Sequence, residues 1–308
     1  MRPSHHFGDR LAARVAERTS NLVLGLDPDP ARLWPEAVAA APADGAPADR
    51  AAAAVAGHCA ALIAAVGPAC VAVKPQLACF ERLGAPGWVA LRLTVRRAQA
   101  AGLLVLADGK RGDVDVSAAA YAQALFGLTP TPFGDAAGLG ADAATLNPLL
   151  GADALAPLIA GARAAGAGAL VLVRTSNPGA RDVQDLPLAG GGRVWERLAA
   201  LVQDLGEPGP ESGLADVGAV VGATAPEHLA RARELMPRAV FLLPGVGAQG
   251  GGIAGLAPAF VPGPAGGLVS ASRSIAGAHE HDGESPPAAA RAEAERLREA
   301  AWALATGA

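Results

Sequence analysis

A chain of 308 residues with 51% hydrophobic content can bury a large core, as two ordinary domains or as one α/β barrel. A net charge of −4 and only 4% aromatics argue against nucleic acid as a partner, because neither a basic field nor a base-stacking surface is available. Apolar runs well under about 18 residues and a charged, amphipathic start predict no membrane span and no secretory leader, so we expect a cytoplasmic protein. The cysteines Cys59, Cys70 and Cys79 are odd in number and lack C-x-x-C spacing, which predicts neither a disulfide framework nor a zinc site.

In chain order, residues 1–20 carry a helix over 8–18 that is expected to lie across the outside of the fold. Short apolar runs of β type then recur at 21–27, 69–74, 103–108, 142–147, 168–174, 217–222, 239–243 and 267–271. They are continuous rather than alternating, as strands buried on both faces of a parallel sheet must be. Between them lie amphipathic segments at 50–66, 88–101, 116–126, 152–165, 192–205 and 226–236, and a helix at 287–305 closes the chain. Eight strands alternating with helices predict a (β/α)8 TIM barrel, one domain over 1–308. A doubly wound sheet is the weaker reading, because the first strand ends in GLDPDP and not in a G-x-G-x-x-G turn. Gly/Pro-rich stretches at 40–49, 128–141, 206–216 and 255–266 read as loop insertions.

Barrels of this kind carry their chemistry at the C-terminal ends of the strands. Those ends hold Asp27, Lys74, Asp108 with Lys110, Asn147, Thr175 and Ser176, Pro244 and Gly245, and Arg273. Lys74 and Lys110 are the two lysines of the chain; every other basic residue is arginine. A lysine kept where arginine serves everywhere else suggests a task for a compact, deprotonatable ammonium. In D108-G-K-R-G-D113, Asp108 and Lys110 are two apart and share a strand face, with Asp113 beyond. A lysine flanked by carboxylates is favoured as the ammonium, which suits a proton donor and disfavours a Schiff base. The loop PGVGAQGGG at 244–252, with Gly245 and Gln249, precedes the strand that leads to Arg273. Glycine-rich backbone plus a guanidinium is a phosphate-binding combination at this end of a barrel.

GLDP at 25–28, VKPQLACFE at 73–81, DGKRGDV at 108–114, LNPLLG at 146–151, VRTSNPGA at 173–180 and LPGVGAQGG at 243–251 together resemble orotidine 5'-phosphate decarboxylase in its longer bacterial form. The resemblance runs through SASRSI at 270–275 and implies a homodimeric, metal- and cofactor-free enzyme. The implied reaction converts orotidine 5'-monophosphate to UMP in pyrimidine biosynthesis. It also implies catalytic roles for Lys110, Asp108, Lys74 and Asp113, with Lys110 protonating C6 and Lys74 holding Asp108 and touching the ribose. Asp113 and Ser117 would serve the partner's site. Asp27 would bind a ribose hydroxyl, Ser176 would read the pyrimidine edge, and Gln249 and Arg273 would hold the phosphate. Asn147, Thr175 and Gly245 join these as substrate-binding candidates.

Magnesium-dependent sugar-phosphate decarboxylases and isomerases share the Asp-x-Lys-x-x-Asp element, but at the end of their second strand the resemblance implies a Glu where this chain has Lys74. That enzyme class, and a catalytically silent nucleotide-binding barrel, are the alternatives. Gly109, Leu149 and the DVDVS run at 113–117 depart from the family's usual pattern without removing a charge.

Overall fold

The computed structural model describes residues 6–224, 226–247, 251–282 and 284–307. The candidate Gln249 lies outside the described residues. The barrel strands are β1 Leu22–Leu26, β2 Ala72–Pro75, β3 Leu104–Arg111, β4 Ala143–Leu146, β5 Gly168–Arg174, β6 Val217–Val221, β7 Phe241–Pro244 and β8 Gly267–Ala271. Each pairs in parallel with its neighbours in sequence, and β8 pairs with β1 to close the ring.

The helices are α1 Phe7–Arg18, α2 Pro35–Ala39, α3 Pro47–Val66, α4 Leu77–Glu81, α5 Ala85–Ala100, α6 Asp115–Leu125 and α7 Ala152–Ala164. They continue with α8 Ala180–Val183, α9 Val194–Leu205, α10 Glu227–Leu235, α11 Arg273–Ala276, α12 His279–Asp282 and α13 Pro286–Thr306.

The continuous apolar strands divide their residues between two cores. Val23, Ala72, Leu104, Leu106, Ala143, Leu170, Val220, Leu242 and Leu268 fill the interior, joined by Phe7, Leu11 and Val15 of α1. Their chain neighbours, among them Leu22, Leu24, Val73, Val105, Val171 and Val269, join Leu62, Leu91, Leu155 and Leu297 of the surrounding helices. Alternation of side chains along each strand makes this division, and burial on both sides removes any need for polar positions. Cys59 and Cys70 belong to the outer core, and burial pushes both thiols up to about 12, so they are inert packing groups.

Among the described residues, the stretch Pro47–Ala69 is long and apolar enough to cross a membrane, and 56% of its most apolar 18-residue window is buried inside the protein. Val55, Cys59, Leu62 and Ile63 sit in the core cluster, so its apolarity is that of a helix packed between α5 and α13.

Two of the expected insertions have structure of their own. The 128–141 stretch contains a small antiparallel ribbon, Leu128–Thr129 with Ala136–Ala137. The 255–266 stretch is not an open loop: it forms 3-10 helices Ala254–Phe260 and Pro264–Gly266. Arg233 of α10 explains this order. Its buried guanidinium donates to the carbonyls of Met236 (2.9 Å), Ala239 (2.7 Å), Ala259 (2.7 Å) and Gly266 (3.1 Å) and lies 3.8 Å over the Phe241 ring. Burial lowers its pKa to about 10, still charged at neutral pH.

Candidate active site

Moving two residues up from the inner core brings the chain to the barrel mouth. From Ala72 this step reaches Lys74, from Leu106 Asp108, from Ala143 Thr145, and from Leu268 Ser270. All four border a cavity of about 500 Å³ that also meets Asp27, Lys110, Thr175, Ser176, Gly245 and Arg273. The size suits a small ligand with a few convergent polar groups.

Asp108 is the hub. Its Oδ2 accepts from Lys74 Nζ at 2.7 Å and from Gln76 Nε2 at 3.1 Å, and its Oδ1 accepts from Lys110 Nζ at 2.6 Å and the Thr145 hydroxyl at 2.8 Å. Burial alone would raise its pKa, but the Lys74 and Lys110 ammonium groups overcome that and bring it down to about 2. Burial likewise opposes the charge on Lys74, and the Asp108 carboxylate, with Asp27 at 3.8 Å, outweighs it and raises the lysine. The lysines differ in access. The Lys74 side chain is 8% exposed and the Lys110 side chain 44%, so Lys74 is fixed beneath the cavity while Lys110 can reach into it.

Local sequence makes this geometry. The β3–β4 register shifts between Ala107 and Arg111, and Lys110 sits at φ 49, so its side chain turns back over Asp108. Gly109 leaves room beside it for Leu77: a Cβ there would lie 2.7 Å from Leu77 Cδ1, the flexible end of that side chain. Pro75 ends β2 and directs Gln76 across to bridge Asp108.

The pyrimidine-side candidates lie on the loop after β5. Thr175 is held at several points, its hydroxyl donating to Asn177 Oδ1 at 2.7 Å. Its N–H donates to Gln184 Oε1 (2.8 Å), its hydroxyl accepts from Gln184 Nε2 (3.0 Å), and its carbonyl accepts from Arg174 Nη1 (2.6 Å). Arg174 also forks onto Asp185 with two 2.9 Å bonds, fixing the returning loop. Ser176 follows, its carbonyl accepting from the Thr224 hydroxyl at 2.9 Å. On the opposite wall, Gly245 at φ 101 turns the backbone after β7. The exposed Arg273 starts α11, its guanidinium without hydrogen bond or ion pair among the described residues.

Three candidates do not border this cavity. Asn147 is exposed and its side-chain carbonyl accepts the Leu149 N–H at 3.0 Å, which makes it a turn cap in this chain. Asp113 accepts the Val114 N–H at 2.8 Å and Ser117 is exposed on α6, both outside their own chain's cavity. Conversely, the structure adds Gln76, Thr145, Gln184 and Ser270. Counting in twos from the inner core would have found Thr145 and Ser270; Gln184 carries no local signal.

A larger cavity, about 710 Å³, adjoins through Asp27, Ser272 and Arg273. Its charges are largely spent on each other, in Arg32–Glu280 and Arg296–Glu293, and it meets neither lysine.

The model of the orotidine 5'-phosphate decarboxylase / HUMPS family matches residues 20–286. The chain belongs to this family. It is 46% identical over 219 residues to the orotidine 5'-phosphate decarboxylase of Deinococcus radiodurans, covering 70% of this chain and 74% of that protein. With the enzyme of Rhodopirellula baltica the identity is 39% over 277 residues, 90% of each chain. The solved OMP decarboxylase of Leishmania donovani superposes with a TM-score of 0.73 at 32% identity, covering 98% of this chain and 99% of that one. The Asp108–Lys110 pair, Lys74 and Arg273 all lie within the matched family span.

Proposed function

We propose that this barrel decarboxylates orotidine 5'-monophosphate to UMP, and that Lys110 supplies the proton. The observation that carries the mechanism is the buried Asp108 carboxylate held between two lysines, one fixed and one facing the cavity. The nucleotide's phosphate lies against Arg273 and the turn at Gly245, its ribose against Asp27 and Lys74, and its base edge against Thr175 and Ser176. The orotate carboxylate then points at Asp108. Like charges meet there, and the repulsion is relieved as CO2 departs.

The C6–carboxyl bond breaks and its electron pair remains on C6. The Lys110 ammonium, bonded to Asp108 in the free enzyme, is a preorganised cation for that developing charge and then transfers a proton to C6. Water reprotonates the resulting amine. Phosphate contacts remote from C6 lower the barrier by holding the base in register. Lys74 puts a fixed positive charge at the end of β2, on the far oxygen of Asp108, where a carboxylate would be needed to hold a cation. That supports the metal-free reading over the magnesium-dependent one.

Asp113 and Ser117 belong, in this proposal, to the site of a second copy. Exposed Val114 and Val116 flank them, and exposed Leu149 and Leu150 stand on the neighbouring β4 loop, an apolar surface suited to such a copy. A cytoplasmic location is part of the same proposal. Release of CO2 from orotidine 5'-monophosphate with EDTA present tests it: metal-independent turnover supports the reading, and turnover that EDTA abolishes favours the magnesium-dependent class.

A further inference from the structure

Lys110 is one of the few non-glycine residues in the left-handed region, with φ 49. Side chains rarely adopt this backbone, and such strain persists where the surroundings hold it. The partner of the strained amide is a side chain. Because the β3–β4 register shifts at this point, the Lys110 N–H donates not to a strand carbonyl but to the Thr145 hydroxyl, at 2.9 Å. The same hydroxyl donates to Asp108 Oδ1 at 2.8 Å, and that oxygen accepts from Lys110 Nζ at 2.6 Å.

A ring is closed: Lys110 backbone, Thr145 hydroxyl, Asp108 carboxylate, Lys110 ammonium. It needs an atom that accepts and donates at once, which a hydroxyl is and a methyl is not. Thr145 is 1% exposed, so water does not readily replace it.

We propose that Thr145 is a positioning residue for the proton transfer: its hydroxyl fixes the strained Lys110 backbone and, through Asp108, the place from which the ammonium reaches the substrate. This rests on the decarboxylase reading above. The Thr145 hydroxyl is already engaged by the Lys110 N–H and Asp108, and in the pose proposed above phosphate and base edge lie against other residues, so its loss acts on the chemical step.

The test compares wild type with Thr145→Val, which keeps the shape without the hydroxyl, and Thr145→Ser, which keeps the hydroxyl. Thr145→Val is expected to lower kcat roughly 10- to 100-fold, the cost of a reacting group displaced by a fraction of an ångström to about one. UMP affinity and KM stay within about twofold, and Thr145→Ser recovers most of the rate. Because the chain has two lysines, ¹⁵N-lysine labelling reads the backbone directly. The Lys110 amide should exchange with solvent faster in Thr145→Val than in wild type or Thr145→Ser, while the Lys74 amide, on β2 beside Gly25, stays unchanged.

Full kcat in Thr145→Val, or equal losses in the Val and Ser variants, overturns the proposal. If Thr145→Val does not fold, Thr145→Ala takes its place in both measurements: a lowered kcat with faster Lys110 exchange supports the proposal, and full kcat overturns it. A wild type that releases no CO2 overturns the decarboxylase reading instead, so the two failures are distinguishable.

Discussion

Replacing Asp108 with Asn tests the electrostatic account of the site through stability as well as rate. The variant keeps the shape but leaves the buried Lys74 ammonium with Asp27 at 3.8 Å as its remaining carboxylate partner. Lowering the Asp108 pKa from 3.8 to about 2 is equivalent to about 2–3 kcal/mol of native-state stabilisation, at about 1.36 kcal/mol per pH unit. Stranding a buried partner typically costs about 3–5 kcal/mol, so the loss should be about 3 kcal/mol. For 308 residues, at about 2.1 cal/mol/K per residue, that lowers Tm by about 4–5 °C. The sign with pH follows from a folded pKa below the unfolded one. The carboxylate's contribution is fully present above about pH 4 and disappears as pH falls toward 2. Urea unfolding of both proteins from pH 7 down to the lowest pH at which each still folds should therefore give a constant gap that begins to close below about pH 4. An Asn variant as stable as wild type at pH 7, or more stable, would refute the reasoning, since Asp108 would then not be holding the lysines in the folded state.

Arg273→Ala should raise KM for orotidine 5'-monophosphate roughly 10- to 100-fold while leaving weak uridine binding unchanged, because the lost charge-assisted bonds go to the phosphate; steady-state kinetics and uridine competition measure this. Gly109→Ala should cost about 1 kcal/mol or less, since the new methyl meets the flexible end of Leu77, 2.7 Å away, which can turn aside; a thermal melt checks it, and a loss of several kcal/mol would show that Leu77 cannot move. Co-expressed Lys110→Ala and Asp113→Ala chains, each inactive alone, should regain about a quarter of wild-type activity if each site draws on two copies; a mixture that stays inactive would place Asp113 in its own chain's site, and an Asp113→Ala chain active alone would place it in none.

The barrel was legible because its strands are continuous apolar runs of the length a doubly buried strand needs, and because polar residues interrupt them at one end. Lys74, Asp108 and Lys110 stood out because two lysines survive in an arginine-rich chain and because i, i+2 spacing on a strand aims two side chains the same way. What escaped detection depends on long-range closure. Gln184 reaches Thr175 after the loop folds back through α8, and nothing in the run RDVQDL announces that return. Asn147 sits at a strand end like the true cavity residues, but the Pro148 turn directs its side chain to the Leu149 N–H, which spacing alone does not reveal. The 255–266 segment looked like an insertion because glycine and proline dominate it; its order comes from Arg233, an α10 residue remote in sequence that satisfies its carbonyls.

The central claim is that Lys110 delivers the proton to C6 of a nucleotide held in this cavity. It is tested most directly by CO2 release from orotidine 5'-monophosphate, with EDTA present, by wild type and by Lys110→Ala at matched UMP occupancy. The account predicts EDTA-insensitive release by wild type, and release by Lys110→Ala lower by at least about 10³-fold, with UMP still bound. Comparable release by both proteins would contradict it.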